Sequence, residues 1–264
     1  MTETLRTLST AIATGMLTVA WSLSGAQPIQ TGARGPDEAS NATGKIQGKV
    51  VFEGPKPKLE QVDLKLADPA CVAAHPEPIY NEDGAVNPDG TLPNVFLYIK
   101  SGLKRAYPPP PEPVTLTQEG CIYRPHVLGI MVGQELHVLS DDPTTHNTHF
   151  LTRANRNWNV SQLPGAAPLI HRFTRPEIMV SVSCNKHPWM DADIGVTANP
   201  FFAVTKGDGT FTIAGLPPGT YILAAWTATF GTLEETVTVN VGEATQANFL
   251  FTGEQANPPA ATSR

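Results

Sequence analysis

The second half of the chain consists of short segments with strand character, separated by turns rich in glycine and proline. Segments such as ELHVLS (135–140) and TVTVNV (236–241) alternate apolar and polar residues, which is the pattern of a half-buried strand. Gly-Asp-Gly and Pro-Pro-Gly turns punctuate the series, and no window of a dozen residues shows helical periodicity. Further strand signals lie upstream, at 46–52 and 94–99. The sequence therefore predicts an all-β fold built from β-sandwiches.

The N-terminal 26 residues have the pattern of a secretory signal peptide. One arginine, Arg6, precedes a nearly uncharged stretch that ends in Ser-Gly-Ala, and small residues at these positions suit a signal peptidase. We therefore predict a cleaved signal peptide at 1–26, with an N-terminal membrane anchor as the alternative. Residues 27–44 are predicted to be a disordered leader and 253–264 a tail. The mature protein is expected to be periplasmic or secreted, without a transmembrane span.

Charge and motifs exclude several function classes. The net charge is −6 and no basic stripe is visible, which argues against a nucleic-acid partner. No paired-carboxylate signature stands out, and the Gly-x-Ser-x-Gly motif of serine hydrolases is missing. The chain is therefore predicted not to be an enzyme.

The most specific chemistry lies in S-C-N-K-H-P-W-M, residues 183–190, between two strand signals. A turn at a strand end can bring the thiolate of Cys184, the imidazole of His187 and the thioether of Met190 towards one point. A second imidazole is available in D-P-T-T-H-N-T-H-F (142–150), where His146 follows another strand signal. Two imidazoles, one thiolate and a weak methionine ligand are the donor set of electron-transfer copper sites.

These motifs resemble the cupredoxins, and most closely the amicyanin-like members of that family. The matching residues are Cys184, His187, Pro188 and Met190 in a short Cys-x-x-His-Pro-x-Met loop, and His146, Asn147, His149 and Phe150 in His-Asn-x-His-Phe.

The resemblance implies a cupredoxin Greek-key β-sandwich, which we place at 112–198. It implies one copper ion, with His146, Cys184 and His187 as equatorial ligands and Met190 as the axial ligand. Asn147 and Pro188 would support the site, with Asn147 tying the two ligand loops together.

Two alternatives to this ligand set stay open. Zinc is the rival metal, although it prefers a closed tetrahedral set without methionine. His149 could replace His146, but three residues further along a strand it points to the opposite face. The Asn147 beside His146 favours His146.

The chain has three cysteines, and an odd number in an exported protein suggests one disulfide and one thiol with another role. With Cys184 in the metal site, Cys71 and Cys121 remain as a disulfide candidate. Each precedes a histidine by four or five residues (His75 and His126), so a second metal site is the alternative.

Residues 201–252 contain K-G-D-G-T-F-T-I-A-G-L-P-P-G-T-Y-I-L-A-A-W. This segment resembles carboxypeptidase regulatory-like and rhamnogalacturonan-lyase middle domains, which are small transthyretin-like β-sandwiches. Such domains begin with strands like those at 46–54 and 94–99. We therefore predict a discontinuous sandwich, 45–105 plus 201–252, with the copper domain inserted, and two modules in series as the alternative.

Together these features predict an exported type 1 copper protein that carries single electrons to or from a redox partner protein. The resemblance implies that His187, Pro188 and Trp189 face that partner. The alternative is a cell-envelope or carbohydrate-binding module, with polysaccharide as its ligand and copper structural or absent.

Overall fold

A computed structural model of the chain describes residues 42–65 and 67–253. The predicted signal peptide (1–26), most of the predicted leader (27–44) and nearly all of the predicted tail (253–264) lie outside the described residues. None of the helices in the described part has the length and apolar character needed to cross a membrane.

The described part of the chain forms seventeen strands and one six-residue helix, so the predicted all-β class is confirmed. The helix, α1, is Pro69–Ala74. The strands are β1 (Gly44–Glu53), β2 (Phe96–Ser101), β3 (Val114–Gln118), β4 (Tyr123–Arg124), β5 (Val127–Met131), β6 (Leu136–Ser140), β7 (His146–Leu151), β8 (Trp158–Gln162), β9 (Leu169–His171), β10 (Glu177–Ser183), β11 (Asp191–Thr197), β12 (Phe202–Val204), β13 (Thr210–Leu216), β14 (Gly219–Thr227), β15 (Gly231–Val239), β16 (Ala244–Gln246) and β17 (Phe249–Thr252).

One sandwich is built from strands near both ends of the described chain. In its first sheet β1 lies between β13 and β16 and also pairs with β17, and its second sheet has the order β12-β2-β14-β15. Apolar side chains from the two sheets meet in one core, which includes Ile46, Leu97, Phe211, Leu223 and Phe251. Because β1 pairs with β13 and β2 pairs with β14, this core joins segments that lie on either side of β3–β11 in the sequence. The domain boundaries themselves stay a prediction.

A second sandwich is built from β3 to β11. Its five-stranded sheet has the order β5-β11-β10-β7-β8, and its four-stranded sheet has the order β4-β3-β6-β9. The core between them includes Leu116, Tyr123, Phe150, Val182 and Ile194. Cys184 and Met190 belong to this same core, at the end where β10 finishes and β11 begins. The candidate ligands therefore lie at one end of a packed sandwich.

The two sandwiches touch where two glycines in the five-stranded sheet make room for aromatic rings. A Cβ on Gly195 of β11 would lie 2.2 Å from the ring of Phe96, and one on Gly129 of β5 would lie 2.4 Å from the ring of Phe202. The alternate residues of β11, such as Ile194, face the core of their own sandwich. This arrangement explains why β11 is buried on both faces, apart from its first residue.

The predicted strands agree with the structure in part. The strand signal at 46–52 lies within β1 and the segment 135–140 contains β6, whereas the signal at 94–99 begins two residues before β2. The sequence analysis missed β8 and β9, which pair with β7 and β6 and expose alternate side chains. β9 has only three residues, and β8 alternates only from Trp158 to Ser161 before the polar Gln162, so neither gives a long alternating run.

Gly195→Ala is expected to destabilise the protein, because the new methyl group has to displace the packed ring of Phe96. Overpacking of this kind costs about 1–3 kcal/mol, and urea denaturation measures it. Gly207→Ala is the matched control, because a Cβ at Gly207 would meet nothing within 4 Å. Equal stability of the two variants would contradict the proposed packing between the sandwiches.

Candidate metal centre

Strand pairing brings the two candidate ligand segments together. β10 and β7 are antiparallel, with Ser183 opposite His149. Continued in the same register, this pairing places His146, the first residue of β7, opposite the turn that follows β10. That turn carries Cys184 and His187. His146 and His187, 41 positions apart in sequence, therefore reach one place because two neighbouring strands run in opposite directions.

Three metal-binding side chains converge at this place. The Nδ1 atoms of His146 and His187 are 2.9 Å apart, and the Sγ of Cys184 is 3.6 Å from the Nδ1 of His187. One ligand atom from each of the three residues lies within 4.8 Å of the other two. His149 lies three residues further along β7 and is partly exposed. The described geometry thus groups His146, and not His149, with Cys184 and His187.

The three side chains are almost fully removed from water, with exposed fractions of 0%, 2% and 3% for His146, Cys184 and His187. Burial lowers the pKa of both histidines, because the charged imidazolium loses its hydration. For His187 the charges of His146 and Lys186 act in the same direction. Two neutral imidazoles beside a buried thiol form a set ready to bind a metal cation.

Met190 closes the turn that carries Cys184 and His187. Its backbone N–H donates to the carbonyl of His187 at 2.9 Å, and its own carbonyl accepts from the N–H of Cys184 at 3.2 Å. The Met190 side chain is fully buried in the same core as Cys184. Pro188, by contrast, is exposed.

Asn147 connects the two ligand segments through its backbone and its side chain, and is itself held to β8. Its backbone N–H points at the Sγ of Cys184 at 3.5 Å, and its side-chain carbonyl accepts from the N–H of Asn185 at 2.7 Å. Its amide nitrogen donates to the side chain of Asn159 on β8 at 2.8 Å. The turn after β10 is thereby held in position relative to β7.

Asp142 orients His146 from the other side, a role that the sequence analysis missed. One carboxylate oxygen of Asp142 lies 2.8 Å from the Nε2 of His146. The carboxylate also accepts from the backbone N–H groups of Gly120 and Cys121, at 2.6 and 2.8 Å. With Nε2 held there, Nδ1 is the ring nitrogen that faces Cys184 and His187. The spacing of a carboxylate four residues before a ligand histidine was the available signal.

The expected exposure of His187 is wrong. Its ring is buried, and one ligand atom of His187 lies within 4.8 Å of the sulfur atoms of Cys71 and Cys121. These two cysteines form a disulfide that attaches α1 to the start of the second sandwich. The indole of Trp189 donates to the carbonyl of Cys121 at 3.0 Å, and its ring centre is 5.3 Å from that of His187.

The segment around α1 thus covers the side of the site that was predicted to face a partner. Asp68 accepts a hydrogen bond from the N–H of Ala70 at the start of α1 and another from the hydroxyl of Thr144. Sequence analysis missed this cover because residues 54–93 have no periodic apolar pattern. The Asp-Pro pair before Cys71 was the only available signal of a helix start.

Comparison with known proteins gives one family match and several partial structural matches. Residues 180–252 match the model of the carboxypeptidase regulatory-like domain. This match begins within β10 and continues through the later strands, whereas the sequence analysis placed the resemblance at 201–252. A search of curated proteins found no match.

Cupredoxins are among the structural neighbours of this chain. A copper-containing nitrite reductase from Thermus scotoductus SA-01 has a TM-score of 0.31 and 22% identity, covering 39% of this chain and 25% of its own. A purple cupredoxin from Nitrosopumilus maritimus has a TM-score of 0.28 and 20% identity, covering 32% of this chain and 99% of its own. An amicyanin variant has a TM-score of 0.28 and 18% identity, covering 32% and 81%. The chain therefore spans only a quarter of the length of the nitrite reductase.

Asp142→Ala is expected to weaken metal binding at this site. The substitution frees the Nε2 of His146 and leaves two backbone N–H groups without their acceptor, and loss of such a supporting group lowers metal affinity by about 10- to 100-fold. Competition titration against a chelator of known affinity measures the change. Asp141→Ala, at the neighbouring exposed residue, is the control and should leave the affinity unchanged.

Replacing both Cys71 and Cys121 by alanine is expected to uncover His187. The disulfide closes a loop of 50 residues, and its loss typically costs about 2–4 kcal/mol of stability. Mass spectrometry after chemical modification of histidines should then show faster labelling of His187, while the already accessible His137 serves as the internal reference. Unchanged labelling of His187 would mean that α1 does not depend on the disulfide to cover the site.

Proposed function

We propose that this chain is an exported type 1 copper protein that carries single electrons. The observation that carries the proposal is the meeting of two imidazole Nδ1 atoms and one cysteine sulfur in a single buried place. Met190, buried in the same turn, would supply the thioether as a fourth ligand. One copper ion is proposed, with His146, Cys184, His187 and Met190 as its ligands.

The donor set fits copper better than zinc. Thiolate and thioether sulfurs favour Cu(I), and imidazole suits both oxidation states of copper. Structural zinc sites are closed tetrahedral sets of cysteine, histidine or carboxylate without methionine. When bound, the copper would supply a centre that gains and loses one electron.

The protein holds the ligand side chains in fixed positions and keeps them away from water. The strand pairing of β7 with β10, the hydrogen bonds of Asn147 and the carboxylate of Asp142 fix the ligand side chains from three directions. A site that is already formed needs little rearrangement when its charge changes. The N–H of Asn147 directed at the Cys184 sulfur is one of the contacts that tune the reduction potential of such sites.

A redox partner protein is proposed to approach at Pro188 and Trp189. His187 is covered by α1 and the disulfide, so direct contact with its ring is not available. Pro188 is exposed and Trp189 is half-buried, and both follow His187 directly in the chain. Together with Leu151 and Asn185 they border a surface groove of about 320 Å³ that reaches Cys184.

Export to the periplasm or beyond is part of the proposal. The predicted signal peptide supports it, and so does the disulfide, because disulfides persist in oxidising compartments. The alternative function, a cell-envelope module that binds polysaccharide, draws its support from the carboxypeptidase regulatory-like match. In the sandwich that this match covers, Tyr221 is buried and its hydroxyl donates to the carbonyl of Pro217, so it offers no exposed ring to a sugar.

Purified protein loaded with Cu(II) is expected to bind one copper at this site and to show the intense visible charge-transfer band of a copper thiolate. His146→Ala and Cys184→Ser should abolish the band, because each removes one of the three converging ligands. His149→Ala is the matched control and should keep it. Metal analysis with an optical spectrum checks all four proteins, and a colourless wild type, or colour that survives in Cys184→Ser, would refute electron transfer through this site.

A further inference from the structure

One buried hydroxyl group lies between the two segments that carry the candidate copper ligands. The hydroxyl of Tyr123 donates to the backbone carbonyl of Asn147 at 2.7 Å, and the carbonyl of Ser183 lies 3.3 Å from the same hydroxyl oxygen. Asn147 directly follows His146, and Ser183 directly precedes Cys184. The hydroxyl therefore contacts the backbone beside one ligand on each segment.

Tyr123 reaches these carbonyls from the opposite sheet. It is the first residue of β4, which pairs with β3 in the four-stranded sheet, whereas β7 and β10 belong to the five-stranded sheet. Its side chain is fully buried in the core that also contains Cys184. The pairing of β7 with β10 ends at Ser183 and His149, so the hydroxyl links the two segments beyond the end of that ladder.

The two acceptors of the hydroxyl are themselves joined to the candidate ligands. The peptide group between Ser183 and Cys184 is held at both ends, because its C=O faces Tyr123 and its N–H donates to the carbonyl of Met190 at 3.2 Å. Asn147 is held in the same way, since its C=O accepts from Tyr123 and its N–H points at the Cys184 sulfur at 3.5 Å. Removing the hydroxyl would free one end of each arrangement.

Tyr123 also belongs to a short segment that supports the site at other points. The backbone N–H groups of Gly120 and Cys121 donate to Asp142, the carboxylate that orients a ligand histidine. The carbonyl of Cys121 accepts from the indole of Trp189 at 3.0 Å. Tyr123 adds a contact to both ligand segments, so this part of the chain supports the site as a whole.

The hydroxyl is a stable hydrogen-bond donor. Burial raises the pKa of Tyr123 above its ordinary value, and the charge of Cys184 acts in the same direction. A buried hydroxyl costs free energy unless it forms a hydrogen bond. A phenylalanine ring would fill the same space in the core, so the hydrogen bond is what tyrosine specifically adds at this position.

We propose that Tyr123 is a positioning residue of the copper site, whose hydroxyl holds β7 and the turn after β10 at the separation that the metal requires. This inference rests on the proposed function and deepens it. Groups that support metal ligands in this way fix ligand orientation and tune the metal. The role of Tyr123 is to limit the movement of His146 and Cys184 when the charge of the copper changes.

Tyr123→Phe tests this role, because it keeps the ring and removes only the hydroxyl. Tyr221→Phe is the matched control, since Tyr221 is buried in the other sandwich and its hydroxyl also donates to a carbonyl at 2.7 Å. We expect Tyr123→Phe to weaken copper binding by about 10- to 100-fold, to change the copper hyperfine splitting and to shift the reduction potential. Tyr221→Phe should match the wild type in all three. Chelator competition, electron paramagnetic resonance and voltammetry measure these quantities.

Alkylation of the copper-free proteins examines the same hydroxyl without the metal. Cys184 is the only cysteine outside the disulfide, and its thiol is 2% exposed. It should react faster in Tyr123→Phe than in Tyr221→Phe, while urea denaturation reports the global stability of both variants.

A purely structural hydroxyl would lower the stability of each variant and leave the copper properties unchanged. Equal copper affinity, spectra, potential and alkylation in the two variants would therefore overturn the positioning role and leave the copper site in place. Wild-type protein that bound no copper would instead refute the proposed function, and this role with it.

Discussion

The antiparallel pairing of β7 with β10 is the constraint on which the site depends. The pairing itself binds no metal, but it places His146, the first residue of β7, opposite the turn that follows β10. Asn147 then fixes the separation between β7 and this turn. Its backbone N–H contacts the sulfur of Cys184, and its side chain accepts a hydrogen bond from the N–H of Asn185. A slip of one residue in the register would turn His146 to the opposite face of the sheet and separate the imidazoles.

The disulfide and α1 cover the candidate metal site on the side of His187. A histidine at the end of a sandwich is expected at the surface, but here the connection between β1 and β2 folds over it. Asp142 joins the two features, because the same carboxylate holds His146 and the backbone of Cys121. The cover and the ligands therefore form one connected structure, and the proposed approach of a redox partner lies at Trp189 and Pro188 instead of at His187.

The sequence predicted the parts of this protein whose signals are local. Local strand signals identified β1, β2 and β6, and the Cys-x-x-His-x-x-Met spacing predicted a compact turn. Contacts between distant segments left no such signal. The edge strand β8 and the α1 cover over His187 depend on which segments meet in space, and so do the hydrogen bonds from Gly120 and Cys121 to Asp142. Likewise, Gly129 and Gly195 interrupt apolar strands for no local reason, and only the rings of Phe96 and Phe202 explain them.

The central claim is that one thiolate and two imidazoles from β7 and the turn after β10 bind a single copper ion. X-ray absorption at the copper edge of the loaded protein tests it most directly, since it reports the number and type of neighbouring atoms. The account predicts two nitrogen neighbours and one short copper–sulfur bond, and loss of that sulfur in Cys184→Ser. A first shell of nitrogen and oxygen alone in the wild type would contradict it.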